Sequence, residues 1–80
     1  MEKYLIDFAK NLKMLRDEKG ISLRNLAAEL GISKSALHQY ENCLNDPSLS
    51  VVKKIADYFD EDINWLIGES NQRRIKKIAQ

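Results

Sequence analysis

The chain has 80 residues and a mass of 9.3 kDa, which is the size of one small domain. Charged residues make up 31% of it and hydrophobic residues 44%, a balance typical of a soluble globular protein. The net charge of +1 excludes a uniformly basic nucleic-acid coat protein but leaves room for a basic face. The longest apolar run is three residues, so we expect no membrane span and no signal peptide. The single cysteine, Cys43, cannot form an internal disulfide, which favours a reducing cytoplasm.

Apolar residues recur at intervals of three and four, the spacing of one face of an α-helix. In the first helix, predicted over residues 2–19, this face consists of Leu5, Phe8, Leu12 and Leu15. Capping residues and glycines predict four more helices, which cover residues 23–30, residues 34–42, a stretch opened by Ser48, and residues 63–67. Their inner faces consist of Leu26, Ala27, Leu30, Ala36, Leu37, Tyr40, Val52, Ile55, Ala56 and Phe59. The sequence predicts a compact all-α domain of five short helices.

Residues 22–42 carry the most informative pattern. Two helices of about eight residues are joined by Gly31, Ile32 and Ser33, and the small Ala27 lies where the helices must approach closely. Glycine permits a sharp left-handed turn, and the isoleucine can fill the gap beneath it. This pattern predicts a helix-turn-helix, whose second helix lies in the DNA major groove. A nine-residue helix is about 13 Å long, which suits a groove about 12 Å wide.

The stretch from about Phe8 to Gly68, three quarters of the chain, resembles the Cro/Xre-type, lambda-repressor-like helix-turn-helix family. The resemblance rests on five motifs in a fixed order, which are L-x-x-L-R-x-x-K-G, L-A-x-x-L-G-I-S, Y-E-N, P-S and N-W-L-I-G. It implies a five-helix DNA-binding domain over residues 1–68. A short basic extension, residues 69–80, follows and could continue as a helix.

The resemblance implies that the third helix reads bases with Lys34, Ser35 and Gln39, and that His38 lies beside them. The chemistry agrees, because a glutamine amide can pair bidentately with adenine and a lysine can donate to guanine or to a phosphate. The alternative for these residues is an ordinary solvated helix face. The full set of expected DNA contacts is Leu23, Arg24, Ser33, Lys34, Ser35, Leu37, His38, Gln39 and Asn42.

The chain departs from the family pattern at two positions. The residue after the cap of the second helix is often glutamine, whereas here it is Leu23, which cannot donate to a phosphate, so Arg24 would have to substitute. Cys43 stands where the family usually has glycine. Because a left-handed cysteine is strained, we expect the loop to take another path or Asn42 to take the turn. An inert loop thiol is the simplest role for this cysteine, and a redox sensor or an intermolecular disulfide is the alternative.

The resemblance also implies an ion pair between Arg16 and Glu41, which would fix the angle of the third helix. It further implies a two-fold dimer contact through the fifth helix, widened by the C-terminal extension. The residues expected in this contact are Trp65, Ile67, Ile75 and Ile78, with core burial or packing back onto the domain as the alternative.

Charge is unevenly distributed along the chain. Residues 1–45 carry a net +1 and residues 46–70 a net −4, whereas residues 71–80 hold four basic residues and no acid. A solvated basic tail is the simplest role for these four residues, Arg73, Arg74, Lys76 and Lys77, and contact with the DNA backbone is the alternative.

These features predict a sequence-specific, double-stranded DNA-binding transcription regulator, most simply a repressor that binds a palindromic operator as a homodimer. An antitoxin or another protein-interaction module of the same fold, which binds a partner protein and regulates its own synthesis, is the alternative. We expect neither a cofactor nor a metal ion. Enzyme activity is not expected, because the one histidine and the one cysteine have no evident orienting carboxylate.

Overall fold

Serine and aspartate side chains set where four of the five helices begin. The hydroxyls of Ser22, Ser33 and Ser48 each accept a hydrogen bond from the backbone amide three residues further on. The Asp62 carboxylate accepts from two amides in the same way. These bonds satisfy amides that no helical carbonyl can reach, so each capped helix starts at the next residue.

The computed structural model of the protein describes residues 2–74. Within them lie five α-helices and no strand, which confirms the predicted all-α fold. The helices are α1 (Lys3–Lys19), α2 (Leu23–Leu30), α3 (Lys34–Glu41), α4 (Leu49–Phe59) and α5 (Ile63–Leu66). Each observed end lies within one residue of its predicted position where one was given. Residues 69–74 are not helical, and the rest of the extension lies outside the described residues.

The core is built from the apolar faces that helical spacing predicts. Leu5 is only half-buried at the start of α1, whereas the residues further along this face are fully covered. The buried hydrophobic residues are Phe8, Ala9, Leu12, Leu15, Leu26, Ala27, Leu30, Leu37, Val52, Ile55, Ala56, Phe59, Trp65 and Leu66. They come from all five helices, so every helix is fixed against the same cluster.

α5 is held close to α1 at two points. The Asn11 side chain on α1 donates to the carbonyl oxygens of Trp65 and Leu66, at 2.9 and 3.3 Å. Gly68, with φ of +83°, approaches the Asp7 side chain so closely that a Cβ atom would collide with it. The residue at this position therefore has to be glycine, both for its backbone conformation and for space. Within residues 2–74, no helix is both long enough and apolar enough to span a bilayer.

Candidate nucleic-acid interface

The turn between α2 and α3 sets the direction of α3. Gly31 has a left-handed φ of 69°, which glycine adopts without a steric penalty. The amides of Gly31 and Ile32 donate to the carbonyls of Ala28 and Ala27, at 3.2 and 3.0 Å, and so satisfy the last carbonyls of α2. Ile32 packs against the core, as predicted. The next residue, Ser33, caps α3, so α3 leaves the turn in a fixed direction.

α3 has a polar face that is turned towards solvent. Lys34, Ser35 and His38 are exposed, and Gln39 is half-buried. Residues four apart are neighbours on a helix surface, so Lys34 adjoins His38 and Ser35 adjoins Gln39. The structure thus brings the predicted base-reading residues together on one surface. Their contact with DNA stays a prediction.

The opposite face of α3 is fixed in the core. Leu37 is 0% exposed, and the ring of Tyr40 meets that of Phe8 edge to face, with the ring centres 6.3 Å apart. The inclusion of Leu37 among the DNA contacts is therefore wrong, because its side chain is covered on all sides by the protein. Burying a leucine stabilises a fold by about 2–3 kcal/mol, which explains why this residue faces inward.

An ion pair connects α3 to α1, as the sequence predicts. The Arg16 Nε and Nη2 atoms donate to the two carboxylate oxygens of Glu41, at 2.7 and 3.1 Å, and Nη1 donates to the carbonyl of Ile21. Both side chains are largely buried. The hydrogen bond from Arg16 to Glu41 is the main cause that raises the pKa of the guanidinium, so Arg16 is positively charged at any physiological pH. This two-point contact fixes the orientation of α3 relative to α1.

The other predicted DNA contacts lie at the two ends of the helix pair. Leu23 is half-buried and packs against the core, whereas Arg24 is exposed in the first turn of α2. The Ser33 hydroxyl accepts from the Ala36 amide and keeps its own proton to donate. The Asn42 Nδ2 donates to the carbonyl of His38 at 2.8 Å. Contact of these residues with DNA also stays a prediction.

The loop after α3 does not follow the expected path. Cys43 itself takes the left-handed conformation, with φ of 58°, whereas Asn42 has φ of −115°. The expectation that the loop would avoid a left-handed cysteine is therefore wrong. The amides of Asn42 and Leu44 both donate to the carbonyl of Gln39, at 3.2 and 2.9 Å, and the Cys43 Sγ lies 3.7 Å from the carbonyl oxygen of Leu5. These contacts offset a conformational cost of about 1–2 kcal/mol.

Two side-chain bonds fix the far end of this loop. The Tyr4 hydroxyl donates to the Asp46 carboxylate at 2.6 Å, and this bond raises the pKa of the phenol. The Asn45 Nδ2 lies 3.4 Å from the Gln39 Oε1, so a loop residue contacts a predicted base-reading side chain. No periodicity or motif in the sequence connects Asn45 to Gln39, so Asn45 is not among the predicted site residues.

The helix-turn-helix geometry of α2, the turn and α3 agrees with the family that this chain matches. A protein-family model described as "Helix-turn-helix", of the Cro/C1 type, matches residues 12–66, which make up more than half of the chain. The chain belongs to this helix-turn-helix family. The resemblance stated from the sequence motifs is confirmed.

Curated relatives carry names from the same family. The uncharacterized HTH-type transcriptional regulator YqaE of Bacillus subtilis is 33% identical over 67 residues, which cover 82% of this chain and 58% of YqaE. HTH-type transcriptional regulatory proteins of Saccharolobus islandicus and Saccharolobus solfataricus are each 42% identical over 52 residues. That match covers 65% of this chain and only 17% of each archaeal protein. No solved structure matches the chain.

The helix-turn-helix domain of this chain covers Trp65 with one of its own arginines. Trp65 is 8% exposed, and the Arg73 guanidinium lies 4.6 Å from the ring centre. The prediction that Trp65 is partly exposed at a dimer surface is therefore wrong, because the cation occupies the face of the ring. Ile67 is half-buried and packs against the core. Ile75 and Ile78 lie outside the described residues.

Arg73 also joins two carboxylates from separate parts of the domain. Its Nη1 and Nη2 atoms donate to Glu18 at the end of α1, both at 2.9 Å. Its Nε donates at 2.9 Å to Glu61, whose side chain is 1% exposed. The hydrogen bond to Glu18 is the main cause that raises the pKa of Arg73, and the hydrogen bond to Glu61 is the next. The expectation of a solvated tail is therefore wrong for Arg73. Arg74 lies 3.3 Å from Asp60 but remains exposed, as expected. Lys76 and Lys77 lie outside the described residues.

The described part of the chain offers no constellation for metal chemistry. No group of three or more His, Cys, Asp or Glu side chains within residues 2–74 is arranged to hold a metal ion. The arrangement that the domain does offer is a rigid helix with a polar outer face. Such a face can donate and accept hydrogen bonds at the edges of bases.

Proposed function

We propose that this chain is a sequence-specific regulator of transcription that binds double-stranded DNA through α3 and represses its target genes as a homodimer. The observation that carries the proposal is the outer face of α3, with Lys34, Ser35, His38 and Gln39 on one surface. Buried Leu37 and the Arg16–Glu41 pair fix this helix from behind. A fixed helix is what base reading needs, because specificity requires donors and acceptors at set positions.

The size of α3 supports the homodimer. An eight-residue helix is about 12 Å long and reaches only a few base pairs in one groove. Two copies related by a two-fold axis would read two half-sites about one helical turn, roughly 34 Å, apart. The operator would then be palindromic. Repression follows where such an operator overlaps a promoter, since bound protein excludes other proteins from the same DNA.

The low net charge supports specific rather than general binding. Residues 1–45, which contain the helix-turn-helix, carry only +1. Non-specific affinity comes mainly from contacts between basic side chains and phosphates, so a weakly basic face gives weak non-specific binding. Discrimination between sequences therefore depends on base contacts by α3 and on the two-fold dimer.

Selection of bound sequences from a randomised duplex pool tests this proposal. We expect an enriched palindrome with half-sites about one turn apart. Sedimentation of the protein with the selected duplex should give two chains per DNA. A pool without enrichment after repeated rounds would contradict sequence-specific binding, and one chain on an asymmetric site would contradict the homodimer.

A protein-interaction module, such as an antitoxin, is the second candidate. Three large hydrophobic side chains outside α3 are exposed, namely Ile6, Leu44 and Leu49. A contiguous patch of such side chains would favour contact with another protein, and these three residues are the candidates for it. Co-purification of a stoichiometric second chain with the natively expressed protein, lost when Leu44 and Leu49 are changed to serine, would support this candidate.

A further inference from the structure

Three side chains from separate elements surround the guanidinium group of Arg73. Glu18 lies near the end of α1, Glu61 lies in the loop between α4 and α5, and Trp65 lies within α5. The guanidinium bonds both carboxylates and lies 4.6 Å from the centre of the indole ring. We call these three side chains the guanidinium site, because the structure shows them with this group between them.

The guanidinium site matches the shape of the group that it holds. The Arg73 Nη1 and Nη2 atoms donate to the two oxygens of Glu18, both at 2.9 Å, in the parallel arrangement that arginine forms with carboxylates. Its Nε and Nη2 atoms both donate to Oε2 of Glu61. Four of the five N–H bonds of the guanidinium are therefore directed at two carboxylates. An ammonium group, which is a single point of charge, cannot reproduce this set of contacts.

The walls of the site are held in place by the rest of the domain. The Glu61 amide donates to the carbonyl of Ala56 at 2.9 Å, and the carbonyl of Trp65 accepts from the Asn11 side chain. The Glu61 side chain is 1% exposed and forms the buried wall, whereas Glu18 is 49% exposed and forms the open one. These backbone contacts involve no residue after α5, so the elements that carry the walls are fixed without Arg73.

The group in the site comes from the chain after α5. The amides of Glu69 and Ser70 donate to the carbonyl of Asn64, and the two side chains that come just before Arg73 are exposed. The match to the helix-turn-helix family ends at residue 66, so the three walls lie within the family domain and Arg73 lies beyond it. Arg73 thus stands in the relation of a ligand to the domain that binds it.

We propose that Glu18, Glu61 and Trp65 form a binding site for an alkylguanidinium group, and that a guanidinium on another molecule binds there when Arg73 is absent. The ligand class is an arginine side chain, and Arg73 is the occupant that the chain itself supplies. Binding is favourable because a buried carboxylate regains a cation that water replaces poorly. The inference does not depend on DNA binding.

Full-length Arg73→Ala with added ethylguanidinium, the part of arginine that alanine lacks, tests the site. We expect the variant to unfold about 10 °C below the wild type, because a buried carboxylate loses a cation. Ethylguanidinium at a few times its Kd should raise this temperature by about 4 °C, as expected for a ligand that binds only the folded chain. Trp65 is the one tryptophan, so its emission should change saturably on binding and its quenching by acrylamide should fall.

Three controls separate a specific site from a general effect of cations. Ethylammonium has the same charge without the planar fork, so it should raise the unfolding temperature of Arg73→Ala by less than about 1 °C. Arg74→Ala loses an exposed pair with Asp60, and ethylguanidinium should not stabilise it. Adding Glu18→Gln to Arg73→Ala changes an exposed wall of the site and should weaken ethylguanidinium binding about fivefold.

Arg73→Lys is a second variant, which decides the inference even where Arg73→Ala does not fold. It keeps a cation beside both carboxylates but lacks the fork, so it should unfold about 5 °C below the wild type. Equal stability of Arg73→Lys and the wild type would overturn a site specific for guanidinium. So would an equal response of Arg73→Ala to both cations, an equal response of Arg74→Ala, or Trp65 emission that does not change as ethylguanidinium is added to folded Arg73→Ala.

Discussion

Gln39 is in contact with the loop after α3 through both its backbone and its side chain. Its backbone carbonyl holds the following loop, and its side chain contacts Asn45. We predict that Gln39→Ala weakens binding to the selected operator by about 1–3 kcal/mol but hardly changes binding to random DNA. Fluorescence anisotropy with both duplexes at one salt concentration measures the two affinities.

The control for this measurement is Gln72→Ala. Gln72 is also a glutamine, it is exposed, and it lies after α5, remote in sequence from α3. Its replacement should leave both affinities unchanged. An equal loss on operator and random DNA after Gln39→Ala would show that Gln39 does not read bases.

The Arg16–Glu41 pair is a second feature at the scale of single residues, and it contributes to the stability of the fold. Arg16→Met leaves the Glu41 carboxylate in a largely buried site without its cation, so the free energy of unfolding should fall by about 3 kcal/mol. Urea denaturation measures this loss. The double variant Arg16→Met with Glu41→Met should be more stable than Arg16→Met alone, because no buried charge remains. A loss below about 1 kcal/mol in the single variant would mean that the pair behaves like an exposed one.

At the scale of elements, the close approach of α5 to α1 depends on Gly68. Gly68→Ala adds a Cβ that collides with Asp7 and places alanine at a positive φ. Gly20→Ala has the same backbone strain at φ of +68°, but no atom lies near its new Cβ. We expect Gly20→Ala to cost about 1–2 kcal/mol of unfolding free energy and Gly68→Ala at least about 1 kcal/mol more. Equal losses in thermal unfolding would show that the collision is relieved without cost.

The helices could be predicted from the sequence because their signals are local. Helical spacing marks the buried faces, and Ser22, Ser33, Ser48 and Asp62 mark the starts by bonding amides two or three residues away. The Arg16–Glu41 pair spans 25 positions, and only the family resemblance indicated it.

Other parts of the site could not be predicted, because they depend on contacts that leave no local pattern. The burial of Trp65 requires Arg73 on its ring face, and spacing within α5 carries no information on that arginine. The left-handed Cys43 is stabilised by a hydrogen bond from the next amide to Gln39 and by proximity to α1. The backbone preference of cysteine predicts the strain at this position but carries no information on the contacts that offset it.

At the scale of the whole molecule, Arg73 joins separate parts of the domain through its side chain. Arg73 bridges Glu18 and Glu61 and stacks on Trp65, so it connects the chain after α5 to α1 and to the loop before α5. We predict that Arg73→Gln lowers the free energy of unfolding by about 2 kcal/mol, because charge-assisted bonds to a buried carboxylate are lost.

Arg74→Gln is the matched control for Arg73→Gln. Its partner Asp60 is exposed, and so is Arg74, so the cost should be below about 1 kcal/mol. Neither variant should change the slope of the logarithm of DNA affinity against the logarithm of salt concentration. A flatter slope in Arg73→Gln would mean that this arginine leaves its carboxylates to contact a phosphate.

The central claim is that α3 of this helix-turn-helix domain reads a DNA sequence. The ratio between the affinities for the selected operator and for a shuffled duplex, both measured at 150 mM salt, tests it most directly. The structure has a fixed polar helix face on a weakly basic domain, so we predict a ratio of about a thousandfold or more, which Gln39→Ala reduces. A ratio near one, unchanged by Gln39→Ala, would contradict the claim.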